Sequence, residues 1–181
     1  MKTSHRSRWS ILLTTLVFAA SLAHAQTDPL PSWNEGPAKY AEKVYGIPPE
    51  QVIGTAGATK FGYDKNGRPF LTKEPRLTLN DNNGGKAEGI HLMIGRRPYA
   101  AFGNTAGDQQ MLEYTGAGDG ARLMMLVLHD DGVREYAYGP ATGLPDTKVG
   151  AFGQKLYDEA KSKGWTVISM KNDWKRIFAF E

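Results

Sequence analysis

Residues 123–128 read LMMLVL, an unbroken apolar run with no polar alternation. A strand with one wet face would alternate, so this run predicts a strand buried on both faces, the kind found inside parallel sheets. The surrounding sequence fits that frame. Strand signals at 98–102 and 165–168 alternate with helical signals at 86–94, 109–114 and 151–163, the first of these helices opened by Gly84-Gly85. A helical stretch is also expected at 37–45, a brief strand at 52–54 and an amphipathic turn over 174–180. Two extended runs, 60–63 and 68–72, flank Asp64-Lys65-Asn66-Gly67, and the Asn-Gly pair is a strong hairpin signal. The expected fold is therefore α/β: a three-layer parallel sheet, with a β-hairpin excursion at about 59–73.

The first 25 residues have a different character. Lys2, Arg6 and Arg8 precede an apolar run at 11–22 too short to span a bilayer, and Ala23-His24-Ala25 follows. Residues 1–25 thus read as a signal peptide cleaved before Gln26, which implies a periplasmic or secreted protein with no membrane attachment after cleavage. Removing that segment takes three of the 22 basic residues and leaves 19 against 19 acidic ones. A neutral mature chain lacks the electrostatic basis for nucleic-acid binding. The chain has no cysteine, which excludes disulfides and thiolate metal sites. Residues 26–39 form a Pro-containing lead-in, and 40–181 are expected to form one domain.

Against this fold, AFGNTAGDQQ at 101–110 raises a chemical question. Gly103 to Asp108 lie beyond the carboxyl end of a strand, where parallel sheets bind ligands. Asn104 and Asp108 are oxygen donors suited to a hard cation such as Mg²⁺. The same residue types also make turns and cap helices, and both readings stay open on spacing alone.

The longer segment GGKAEGIHLMIGRRPYAAFGNTAGDQQML, residues 84–112, resembles the third and fourth motifs of the haloacid dehalogenase superfamily of aspartate-nucleophile phosphohydrolases. The resemblance extends through RLMMLVLHDDGVREYAYGP to GWTVISMKNDWKRIF and is closest to a secreted, phosphoserine-phosphatase-like subgroup. It implies a Rossmann-like sheet and a Mg²⁺-dependent phosphoric monoester hydrolase acting on a phosphorylated small molecule. In that scheme Lys86 neutralises charge on phosphate and nucleophile, while Asp108 and Asn104 hold the metal. Asn104 stands where the family carries an acid, which weakens charge neutralisation of the ion. The family's nucleophile motif and second motif have no counterpart: Lys39 of EGPAK runs directly into YAEKVYGIPPE, which resembles a segment well downstream of both. The resemblance therefore implies a partial domain that is a phosphatase by ancestry and impaired in catalysis. The alternatives are a noncatalytic remnant that binds phosphate or Mg²⁺, and an interaction protein that self-associates through a bare sheet edge.

Other chemistry-bearing residues have plainer readings. His129, Asp130 and Asp131 read as a solvated turn, His91 as structural, and Arg96-Arg97 as partners of a helix dipole. Trp165, Trp174, Phe178 and Phe180 read as core and C-terminal docking.

Overall fold

The computed structural model describes residues 44–147 and 150–177. The expected signal peptide, the lead-in, the Lys39–Tyr40 junction, Phe178 and Phe180 lie outside the described residues, as does most of the 37–45 helix, of which Val44 and Tyr45 are helical. The chain divides into two compact units, Met1–Pro49 and Glu50–Glu181, and the hairpin, the sheet and its helices all belong to the second.

The hairpin is present and longer than its sequence signal. Strands β1 (Ala56–Tyr63) and β2 (Pro69–Leu79) pair antiparallel, with Tyr63 opposite Pro69 at the turn. Asp64 organises that turn. Its Oδ1 accepts from the backbone of Asn66 and Arg68, its carbonyl accepts from Gly67, and Gly67 takes the left-handed φ of 75° that the turn needs. Most of the hairpin is exposed, and only Ala58 and Leu79 are buried in it.

Helix α1 (Gly84–Ile94) follows an Asn-rich bend and ends on Gly95 in the left-handed region, whose N–H bonds to His91. The second of its opening glycines is sterically required: a Cβ on Gly85 would stand 1.7 Å from the Asn80 carbonyl oxygen, whereas one on Gly84 would meet nothing within 4 Å. Residues 52–54 do not form the expected strand. The bare flank of Gly89 on α1 takes the side chain of Ile53, whose Cγ2 would be 2.9 Å from a Cβ there. Side-chain packing rather than backbone pairing thus places that segment.

Strands β3 (Ala100–Gly103), β4 (Leu123–Leu128) and β5 (Thr166–Ser169) form a parallel sheet in that order. Helix α2 (Gln109–Gly116) connects β3 to β4, and α3 (Gln154–Ser162) lies between β4 and β5. Successive crossovers of one hand, stepping in one direction, put both helices on one face. The core shows the result: Ala101, Leu126 and Leu128 pack with Leu112 of α2, Leu156 and Ala160 of α3, and Phe152. Each large side chain buried there is worth about 1.5–3 kcal/mol.

The opposite face corrects the two-sided burial expected for LMMLVL. Phe102 is 58% exposed and Leu123 42% exposed, while Met125, Val127 and Ile168 are half-buried. Among the described residues the sheet is one-sided and β3 is an edge strand, so a three-layer arrangement is not what these strands display. Residues 171–177 form turns and bends, with Trp174 37% exposed and Trp165 buried in the core. No helix among the described residues is long and apolar enough to cross a membrane.

Candidate functional site

The carboxyl end of β3 runs into a tight cap. Thr105 is extended and opens a short 3-10 turn, Ala106–Asp108, that leads directly into α2. Thr105 and Asp108 form a reciprocal capping box: the Thr105 hydroxyl accepts from Gly107, and Asp108 Oδ2 accepts from the Thr105 N–H at 3.0 Å. The same oxygen accepts from the Asn104 N–H at 2.9 Å and the Thr105 hydroxyl at 3.2 Å. Gly103 makes this possible, because a Cβ there would lie 2.4 Å from that of Asp108.

Asp108's other oxygen faces a different element. Lys86, in the first turn of α1, donates from Nζ to Asp108 Oδ1 at 2.6 Å. Asp108 is 4% exposed. Burial pushes its carboxyl upward, but the Lys86 ammonium and the Asn104 and Thr105 N–H groups outweigh that and hold it below its ordinary value. The capping reading of Asp108 is thus realised on one carboxylate oxygen, while the other carries the ion pair with Lys86.

Asn104 connects this pair to a second polar group. Its backbone reaches Asp108, while its side-chain Nδ2 donates to the Tyr138 hydroxyl at 2.8 Å and stands 3.4 Å from His129 Nε2. His129 stacks on the Tyr138 ring at 4.4 Å and places Nδ1 2.7 Å from Glu135 Oε2. With Nδ2 as donor, the consistent tautomer carries its proton on Nδ1 and gives it to Glu135. Burial raises the Tyr138 hydroxyl above its usual value, and the Glu135 and Asp108 charges add to that against the Asn104 hydrogen bond.

The solvated turn expected at 129–131 is instead a packed junction. Asp131 is 6% exposed and paired with Arg134, whose guanidinium holds that carboxyl below its ordinary value. Asp130 accepts from the Ser169 hydroxyl at 2.6 Å and the Lys171 N–H at 2.9 Å. Sequence reasoning missed Thr105, Tyr138 and Glu135 altogether. The Thr-x-x-Asp capping spacing could have found the first; no local signal marks the other two, because their role depends on the loop folding back onto β3.

Lys86, Asn104 and Asp108 therefore meet at one end of the sheet. Their donor set does not fit a Mg²⁺ ion as arranged. That ion takes near-octahedral oxygen ligands, whereas the one carboxylate here has both oxygens engaged by an ammonium and three local donors, which leaves the Asn104 side-chain oxygen as the single uncommitted ligand of these three residues. No group of three His, Asp or Glu side chains that could hold a metal occurs among the described residues. No protein-family model matches the chain, and no curated protein matches it.

Proposed function

We propose that this chain descends from a haloacid dehalogenase-type phosphohydrolase and persists as a noncatalytic remnant, with Lys86 as a weak phosphate contact. One observation carries the reading: a lysine and an acid from separate motifs meet at 2.6 Å beyond a parallel strand. The β3–α2–β4–α3–β5 succession is consistent with one half of a Rossmann-like sheet, and the one-sided coverage of β4 suits a domain lacking its other half.

The chemistry follows from what Lys86 can still do. Its ammonium has three donors, of which Asp108 takes one, and its side chain is 30% exposed. A phosphate oxygen can be met by the remaining donors, but the Asp108 charge offsets the attraction. Covalent phosphoryl transfer also requires an attacking carboxylate in line with phosphorus. Asp108, locked in the cap and on Lys86, is not free to attack. The superfamily's Mg²⁺ has no part in this account, since the donor set does not fit it.

The test is a titration of the purified protein with orthophosphate, followed by amide chemical shifts. Weak, saturable shifts at Lys86 and residues 104–108 that vanish in Lys86→Met are expected. The same shifts persisting in Lys86→Met would contradict the assignment.

A further inference from the structure

At the other end of the sheet, before β3 and β4 begin, lies an open hollow of about 280 Å³ lined by Arg96, Arg97, Tyr99, Gly118, Asp119 and Arg122. Two of its three arginines are held in place, and Arg96 is exposed. Arg122 Nη1 donates to the Pro98 carbonyl at 3.0 Å, and its guanidinium lies 4.4 Å over the Tyr99 ring. Arg97 Nη1 donates to the Tyr114 carbonyl at 2.7 Å and lies 4.2 Å over the Tyr114 ring. Arg97 thus serves the end of α2 rather than that of α1, which Gly95 already caps. Gly118 lets the Arg122 guanidinium lie flat on the chain, because a Cβ there would stand 2.7 Å from its Cζ. Held this way, Arg122 keeps its Nε buried without a hydrogen-bond partner among the described residues.

None of these three arginines takes part in an ion pair among the described residues. Three guanidiniums against the single carboxylate of Asp119 leave the hollow with an excess of two positive charges. Like charges gathered around one hollow repel until an anion enters it. A guanidinium fork matches carboxylate and phosphate alike, but guanidiniums arriving from two separate loops can meet oxygens on several sides of a tetrahedral oxyanion, whereas a carboxylate offers two oxygens in one plane. The volume lies just below the roughly 300–1,000 Å³ of pockets for drug-sized ligands, so it suits a small ester rather than a nucleotide. We propose that this hollow binds a compact phosphate-type oxyanion, either free phosphate or the terminal phosphate of a small ester. The site is separate from the Lys86–Asp108 pair and does not depend on it.

The experiment is a titration of the purified protein at low ionic strength with orthophosphate, pyrophosphate, glycerol 2-phosphate and, as a planar control, succinate. Backbone amide and arginine Nε–H chemical shifts locate the response. Saturable shifts at residues 96–99 and 117–122 are expected, with succinate much weaker; the relative affinities of orthophosphate and glycerol 2-phosphate separate a free ion from an ester. Arg96→Ala and Arg122→Ala are each expected to weaken pyrophosphate binding about tenfold, the usual scale for a lost charge-assisted contact. Gly118→Ala, whose Cβ displaces the Arg122 guanidinium, should weaken it as well. If Arg122→Ala fails to fold, Arg96→Ala and Gly118→Ala decide the matter. Unchanged affinity in those two, succinate binding as tightly as phosphate, or shifts confined to residues around Lys86 would each overturn the proposal.

Discussion

Lys86 Nζ and Asp108 Oδ1 lie 2.6 Å apart, although 22 positions separate the two residues in the chain. The contact joins the start of α1 to the cap of α2, so one carboxylate fixes the turn after β3 and ties a neighbouring helix to it. That dual use sets the expected consequences of mutation.

Removing the two partners should not be equivalent. Lys86→Met deprives a buried carboxylate of its charge partner but leaves its three local donors, and should cost about 1–3 kcal/mol. Asp108→Ala removes the cap as well and strands the Asn104 and Thr105 N–H groups, so about 2–4 kcal/mol is expected. Urea unfolding midpoints measure both. Equal losses would show that the capping hydrogen bonds contribute little.

Acid should act through the same group. Because the folded-state pKa of Asp108 is lowered, its contribution is complete above the ordinary carboxylate range and is lost as pH falls toward the folded value. In Lys86→Met the burial effect gains ground, the folded pKa rises and the loss starts at higher pH. Unfolding midpoints from about pH 3 to pH 7, spanning the usual carboxylate values, should show the variant's stability falling first. Superimposable pH profiles would contradict the pairing.

Gly103 gives a packing test. Its added Cβ would meet the Asp108 Cβ at 2.4 Å inside a closed cap, so Gly103→Ala should destabilise by about 1–3 kcal/mol. Gly84→Ala, where a Cβ would meet nothing within 4 Å, is the matched control and should remain near wild type.

How far the sequence foretells this arrangement varies with the range of the interaction. The Asp64–Gly67 hairpin turn, the glycines opening α1 and the extent of β4 are legible because each is settled by local backbone chemistry. The meeting of Lys86, Asn104 and Asp108 is legible only through resemblance to known motifs, since no periodicity connects α1 with the turn after β3. Residues 52–54 mislead because an apolar triplet has the same composition whether it pairs as a strand or plugs a glycine flank. LMMLVL misleads toward double burial because composition reports hydrophobicity, whereas the direction of the crossovers decides which face is covered. His129, Asp130 and Asp131 look like a polar turn, yet each has a partner that arrives from later in the chain.

Arg134 is one of those late connections. It pairs with Asp131 and also donates to the Met170 carbonyl at 2.6 Å and the Trp174 carbonyl at 2.9 Å, so a planar fork tethers the segment after β5. Arg134→Lys keeps the charge but not the fork, and should speed amide hydrogen exchange over residues 170–175 while leaving β4 protected. Unchanged exchange there would show that other contacts hold the segment.

The most direct test of the remnant account is turnover. Purified protein should hydrolyse a generic aryl phosphate no faster than buffer does, with or without added Mg²⁺, because the one carboxylate near Lys86 is locked in a cap and no nucleophile motif is identifiable in the chain. Mg²⁺-dependent hydrolysis that disappears in Asp108→Ala would contradict the account and show that a working phosphatase site is present.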